Sequence, residues 1–518
     1  MKKTALLLVL CMVLSAALFG CSDTGTTEGD STTPPASDNN ENTDEQTPAR
    51  TDLNLALTET PGTFDPHYTS LAVEQTILKQ VYEPLIRIVG DGEEFPVLAT
   101  DYTISEDGLA YTFNIREGVT FQNGDELTAS DVVFSFERAK ASAYLYTATE
   151  AISSIEAPDD HTVVITLSRV YAPFPQYLEQ VYIISEDYYN EVGEDTFAAE
   201  PCGTGPYTLA DYQTAVSATM EAYPDYWGGE AAIKTLNFKV ISDTSTTLIA
   251  FEAGELDCIG VPPANWADIE ASGKYSTQIV SGVNVGFMMM NHEVEPFNDK
   301  LVRQAISHAI NRDDVCLMAM DGMAVPAYML PNPDQVTGAT EDTVMLEYDP
   351  EKAMELLAQA GFPDGFDAGP IKVTSGLVEK VAQVVQSNLA AVGIDSTIEI
   401  VELTAYSTDL TNGNYGLGIT AATIGYDFSM YSIAYTSSAI GSFNFARYQN
   451  PEVDSLFSEA LSTVDSEARN AVYKQILDII QDDAVYVPIF YPATGSAANP
   501  NLNYNLDRGN VYYDWSWK

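Results

Sequence analysis

The chain has 518 residues, enough for three or four domains of ordinary size or for one large multi-lobed body. Hydrophobic residues make up 45%, which excludes global disorder, and 75 acids against 23 bases leave a formal net charge of −52. That charge repels phosphate backbones and anionic lipid, so it argues against nucleic-acid binding and against membrane attachment by charge. With five cysteines and four histidines, neither a disulfide-built scaffold nor a Cys/His metal cluster is expected.

Lys2 and Lys3 precede an almost unbroken apolar run over residues 4–19. The run is too short to read as a membrane span, and it ends at Leu18-Phe19-Gly20-Cys21. That ending resembles a lipobox: a branched apolar residue, a small residue, then a cysteine that becomes lipidated. Phe19 is bulkier than usual at its place. Residues 1–20 are therefore read as a lipoprotein signal peptide with Cys21 as the lipidation site; an ordinary secretory signal with an incidental Cys21 is the alternative. Residues 21–52 read as a disordered tether, because Ala36 and Ala49 are the only apolar residues after Cys21 and no core can form from them. Its reach is roughly 30 Å as a random coil. Cleavage and acylation leave Cys202, Cys258 and Cys316, either as buried thiols or with one bridge.

Beyond the tether the pattern is mixed α/β. Residues 111–116 alternate apolar and polar, as a strand with one buried face does. Thr128-Ala129-Ser130-Asp131 forms a capping box that starts a helix carrying Val132, Val133 and Phe136 on one side. Val163, Ile165 and Leu167 alternate as a second strand. Residues 298–314 have the spacing of one amphipathic helix. Asp349-Pro350 starts another, with Asp at the N-cap and Pro in the first turn, and Gly361 ends it. Residues 371–374, 378–392 and 396–401 make a strand–helix–strand unit with Gly393 as its C-cap, which implies a parallel strand pair joined by a right-handed crossover.

Catalytic signatures are absent from the sequence. It has no G-x-S-x-G, no H-E-x-x-H and no G-x-x-x-x-G-K-[ST]. Gly203-Thr204-Gly205-Pro206 begins like a nucleotide loop but lacks the third glycine, so a backbone turn is expected there. His67, His161, His292 and His308 are scattered. No catalytic residue, metal site or cofactor is assigned, and no enzyme activity is expected.

One long stretch is similar to a known family. It runs from Leu98-Ala99-Thr100-Asp101-Tyr102 through Asp107-Gly108 and residues 109–121 to Asn123-Gly124-Asp125-Glu126-Leu127 and residues 128–135. The stretch resembles the extracellular solute-binding family 5, the peptide- and nickel-binding components of ABC importers. Further landmarks follow in the family's order: Gly203-Thr204-Gly205-Pro206-Tyr207, Tyr226-Trp227-Gly228-Gly229, Gly254-Glu255-Leu256-Asp257, residues 302–310, and Tyr348-Asp349-Pro350 running on to Ala360-Gly361-Phe362-Pro363.

The resemblance implies an α/β, two-lobed, periplasmic-binding-protein-like clamshell of class II type, with an extra domain in the first lobe. Domain I would take residues 53–81, 200–285 and 488–518, domain II residues 82–199, and domain III, the second lobe, residues 286–487. Hinge crossings are expected near 283–288 and 486–490. Arg116 and Asp131 are assigned to structural pairs. The implied function is capture of a small solute, most often an oligopeptide or dipeptide, by lobe closure and delivery to an ABC permease and ATPase complex. The protein would act as a monomer on the outer face of the cytoplasmic membrane, held by its lipid anchor only. A pheromone or nutrient sensor, a nickel-chelate binder and, more remotely, a secreted hydrolase are the alternatives. In peptide-binding relatives an aspartate in the second lobe fixes the ligand's α-amino group. The corresponding stretch here keeps Asp427 but lacks the usual Trp and the Asp-Pro that follows. Asp427 is thus the expected ammonium partner, and Tyr68, Trp266, Asn291, Tyr426 and Tyr431 are further ligand-binding candidates.

Overall fold

The computed structural model describes residues 50–89, 93–506 and 511–518. The expected signal peptide, Cys21 and the expected tether up to residue 49 lie outside the described residues. Arg50 is the first described residue. Its guanidinium stacks over the Trp517 ring at 4.4 Å and donates to both carboxylate oxygens of buried Asp257, at 2.6 and 2.7 Å. The strand Asp52–Leu57 follows at once, and its alternation turns Leu53, Leu55 and Leu57 inward. It pairs in parallel with Thr235–Val240, which continues antiparallel to Ser217–Ala222 and then Tyr207–Gln213. Ile77, Leu78 and Val81 of the helix Ala72–Val81 cover this first-lobe sheet from one side.

A second first-lobe sheet is antiparallel throughout, in the order Ala99–Ile104, Ala110–Ile115, Thr162–Leu167, Ile152–Asp159. Its buried face receives Val132, Phe136 and Ala139 from the helix Ala129–Lys140. The capping box starts that helix as expected. One oxygen of Asp131 accepts from the Thr128 N–H at 2.9 Å, and the other reaches the Glu186 N–H at 3.0 Å. Arg116 likewise serves the fold. Its Nε donates to the Val97 carbonyl at 2.9 Å and its guanidinium lies 4.3 Å from the Trp227 ring. Neither residue pairs with an opposite charge; each satisfies backbone groups instead.

The second-lobe sheet is built on Asn284–Met290, whose run of apolar residues is buried on both faces. Leu417–Thr423 and Tyr486–Ala498 flank it antiparallel, and Phe366–Val373 pairs in parallel with both Leu417–Thr423 and Ile394–Ile400. The helix Leu377–Ala391 joins the two strands of the parallel pair, and Val381, Ala382, Val385 and Leu389 seal it to the sheet. Tyr486–Ala498 belongs to both lobes. Its first half pairs with Asn284–Met290, and its second half with Cys258–Val261 and Ser276–Ser281 of the first lobe. The two segments expected to cross between lobes thus pair with each other, with a register shift between Gly286 and Phe287. A Cβ at Gly286 would lie 2.1 Å from the Phe490 ring, so only glycine fits there.

Residues 298–314 do not form a single helix. Lys300–Ala309 ends at Ile310, which is extended, and Arg312–Met318 begins again after Asn311, whose side chain accepts from the Asp314 N–H. The break brings the Arg312 guanidinium into the core, where it donates to the carbonyls of Ala327, Pro488 and Ser307. The described cysteines, Cys202, Cys258 and Cys316, are buried free thiols. Burial pushes the Cys202 thiol up to about 11 and the other two to about 12.

Candidate functional site

Two of the buried carboxylates, Glu83 and Asp427, differ in how fully they are partnered. Glu83 is 1% exposed and accepts from Thr204 Oγ1 at 2.9 Å, Tyr226 OH at 2.7 Å and Trp227 Nε1 at 2.8 Å. Two of the family landmarks, around Gly203 and Trp227, therefore converge on one acid. Gly203 and Gly205 let the backbone approach the end of the helix Ala72–Val81: a Cβ at Gly203 would sit 2.1 Å from the Val81 carbonyl oxygen. The Gly203-Thr204-Gly205 stretch is a packing turn and cradles no phosphate.

Asp427 is the second acid, with no exposed surface. It lies just past the strand Leu417–Thr423, on a segment that a short parallel bridge to residue 337 pins in place. The Thr337 N–H donates to the Tyr426 carbonyl at 2.8 Å, and the Phe428 N–H to the Thr337 carbonyl at 2.9 Å. Asp427 caps the single turn Phe428–Tyr431 by accepting from the Ser429 N–H at 2.8 Å, and the same oxygen accepts from Tyr473 OH at 3.0 Å. Its other oxygen, Oδ2, makes no hydrogen bond of ordinary geometry; the Ser429 hydroxyl makes none either, but it stands beside the carboxylate and the Tyr473 hydroxyl and helps to hold the carboxylate charged. Burial raises the Asp427 carboxyl above its ordinary value, against the Ser429 hydroxyl, the Ser429 N–H, the charge of Arg469 and the Tyr473 hydroxyl, which hold it down. Arg469 gives its terminal N–H groups to the carbonyls of Thr463 and Val464, both at 3.1 Å. Among the described residues no cation lies within ion-pairing distance of Asp427.

The Asp427 segment lies on the seam between lobes. Met430 packs against the first-lobe core that contains Phe174, Tyr177 and Leu178. The Ala172 N–H of the first lobe donates to the Leu461 carbonyl of the second at 3.0 Å. The charge of Asp427 also contributes to raised Tyr171 and Tyr177 hydroxyls, chiefly raised by burial, and Glu179 acts in the same way on Tyr426.

The sequence candidates fall into different environments. Tyr426, Asp427 and Tyr431 share the seam segment; Tyr426 is 60% exposed, whereas Tyr431 is buried in the second-lobe core against Phe428. Tyr68 lies beneath the Arg138 guanidinium, 4.7 Å from its ring centre, where Arg138 also pairs with Asp65. Trp266 packs with Val261, Ile269 and Met323. Asn291 spends its amide on the carbonyls of Gly413 and Tyr415, at 2.9 and 3.0 Å, and accepts from the Glu293 N–H at 3.0 Å. Ser429, Tyr473, Tyr171 and Tyr177 were not singled out from sequence. Among the described residues no group of three or more His, Cys, Asp or Glu is arranged to hold a metal ion, and no helix is long and apolar enough to cross a membrane.

Two lobes sharing one long strand, with buried Asp427 near the seam between them, give the architecture of a two-lobed clamshell. The match to the family described as bacterial extracellular solute-binding proteins, family 5, covers residues 94–443, and the chain belongs to that family. It is similar to heme-binding protein A of Haemophilus influenzae, at 29% identity over 82% of this chain and 84% of that protein. It is also similar to the glutathione-binding protein GsiB of Salmonella typhi, at 28% over 88% and 91%. Among solved structures it resembles the ABC transporter-associated periplasmic binding protein DppA from Helicobacter pylori in complex with the peptide STSA. That likeness has a TM-score of 0.68 at 29% identity, over 90% of this chain and 98% of that one. Proteins of this family are extracellular or periplasmic binding components of ABC importers, and they bind rather than transform their solutes.

Proposed function

We propose that this protein captures oligopeptides or dipeptides through their free α-amino group and delivers them, enclosed between the lobes, to a membrane permease and its ATPase. The observation that carries the reading is Asp427 Oδ2, a buried carboxylate oxygen on the seam with no partner. A buried charge without a counter-ion is costly, and an ammonium supplied by a ligand both neutralises it and donates to it. The peptide complex of the H. pylori relative supports this ligand class, while the heme and glutathione names of other relatives show how widely the fold has been adapted. In this reading residues 286–487 form the moving lobe, the crossings near 283–288 and 486–490 are the hinge, and Cys21 carries the lipid that holds the protein at the membrane.

Native mass spectrometry of the purified protein identifies any retained solute, and titration with peptides tests the pairing. Losing one partner of a desolvated charge pair costs about 2–5 kcal/mol, so Asp427→Asn should weaken peptide binding roughly thirty-fold or more. N-acetylating the peptide should cost the native protein a similar factor and the variant little more, because both changes remove one interaction. Additive losses place Asp427 outside the site, and no loss from either change replaces the peptide with a solute lacking an amino terminus. For the anchor, Cys21→Ser should release the protein from the membrane fraction or leave it unprocessed; normal processing with unchanged retention refutes the lipid assignment.

A further inference from the structure

Away from the strands that join them, the lobes meet at the link between two second-lobe helices, Pro451–Ser462 and Ser466–Asp482. The first lobe offers the hairpin turn between Ala99–Ile104 and Ala110–Ile115, and the segment that follows Thr162–Leu167. Val464 fills the space over Gly108 at the hairpin tip: a Cβ on Gly108 would lie 3.0 Å from Val464 Cγ2 and 3.3 Å from Val170 Cγ1. Glycine is needed there twice over, for that close approach and for its φ of +71°. Beside it the N–H of buried Ala172 donates to the Leu461 carbonyl at 3.0 Å, and Met430 adds a third point by packing on the first-lobe core. Both sides of the contact are held in shape by their own bonds. At the hairpin, Asp107 accepts from the Ser105 hydroxyl at 2.6 Å and the Leu109 N–H at 3.1 Å. At the link, Asp465 accepts from the Ala468 N–H at 2.8 Å, and Arg469 donates to the carbonyls of Thr463 and Val464. The Arg469 charge reaches the first-lobe hydroxyls of Tyr102 and Tyr111 as well, opposing the rise that burial gives them.

We infer that the contact of Val464 and Leu461 with Gly108, Val170 and Ala172 is a clasp that favours the closed lobes by itself, before any solute joins them. Its parts are backbone groups and apolar side chains, and none of them is the Asp427 carboxylate, so the clasp does not rest on the peptide reading. Little ordering is needed when the two faces meet, because each is already fixed by its own turn and caps, and the apolar area they cover is gained nearly in full. A closed share set by the chain itself raises the apparent affinity for every solute by the same factor. The clasp thus governs how firmly a solute is kept, and the cleft governs which solute is chosen.

The test reads hydrogen–deuterium exchange at the Ala172 amide, by mass spectrometry with fragmentation, in the intact chain stripped of solute by unfolding and refolding. When the lobes part, this N–H loses its acceptor and meets water, so its protection reports the closed share. In the wild type it should exchange at least about tenfold more slowly than an unprotected amide. Val464→Asp sets a charge against Gly108 and Val170 and should remove most of that protection. Val464→Ser should remove less, and it carries the comparison if the aspartate disturbs the fold. The amides of Asn284–Met290 should stay as slow in the variants as in the wild type, which marks the fold as intact. An unprotected Ala172 amide in the wild type overturns the clasp, and so does equal protection in the wild type and the folded variants. No solute is present, so either result leaves the peptide reading where it stood.

Discussion

Glu83 and Asp427 are both carboxylates with almost no exposed surface, and burial raises the proton affinity of both. They differ in what surrounds them. Three side-chain donors from Thr204, Tyr226 and Trp227 converge on Glu83, whereas Asp427 has two donors on one oxygen and none on the other. A saturated buried acid welds segments that are distant in sequence, here the end of a helix, a glycine turn and an aromatic loop. In the reading proposed above, an acid left half-partnered is the one that meets a group from outside the chain. Burial and a raised proton affinity do not separate the two roles; the count of satisfied oxygens does.

The largest expected effect lies on the saturated side. Glu83→Ala strands three buried donors and should cost about 3–5 kcal/mol in urea unfolding, while the folded fraction keeps its preference for amine-bearing ligands. Loss of that preference in correctly folded protein would break the division between the two acids. Asp427→Asn should behave oppositely in the ligand-free protein. Its folded-state value lies above the ordinary aspartate value, so the folded chain holds the proton to higher pH than the unfolded chain. Stability from this group is therefore fully present below the ordinary value and lost as pH rises through the folded one. Measured by unfolding across that interval, the variant should gain on the wild type as pH rises and then run parallel to it. A variant that falls behind the wild type with rising pH would mean that a cation within the chain already pairs with Asp427. The smallest effect is expected at Ser429→Ala. That hydroxyl stands beside the Asp427 carboxylate and helps to hold it charged, so its loss should cost ligand-free stability no more than about 1 kcal/mol, while affinity for amine-bearing peptides drops. Equal affinity in the variant would remove Ser429 from the ammonium site.

Alternation made two first-lobe strands readable, because a half-buried sheet writes period two into its residues, as Tyr111, Phe113 and Ile115 do. The capping boxes and Asp-Pro starts were readable for the same local reason. The helix break at Ile310 was not: the apolar spacing runs straight through it, and only the buried environment of Arg312 reveals why the chain turns. At the site, Asp427 was legible through resemblance. Its hydrogen-bond partner Tyr473 was not, since it lies 46 residues away and is one of 30 tyrosines. Asn291 shows the converse. A lone amide at the end of an apolar strand looks like a ligand contact until its hydrogen bonds are traced to Gly413, Tyr415 and Glu293.

Arg50, clamped between Trp517 and Asp257, has a mechanical consequence. Any pull on the segment preceding it enters the first lobe at that clamp and runs along Asp52–Leu57, which is in parallel register with Thr235–Val240 over its whole length. Tension along a strand's own axis loads its hydrogen bonds in shear, so the rungs resist together instead of opening one by one. The force is spent in the first-lobe sheet, and Asn284–Met290 and its neighbours lie outside its path. If Cys21 anchors the chain as proposed, a pull on it leaves the lobes unprised, and their closure is left to the ligand and to the clasp across the seam.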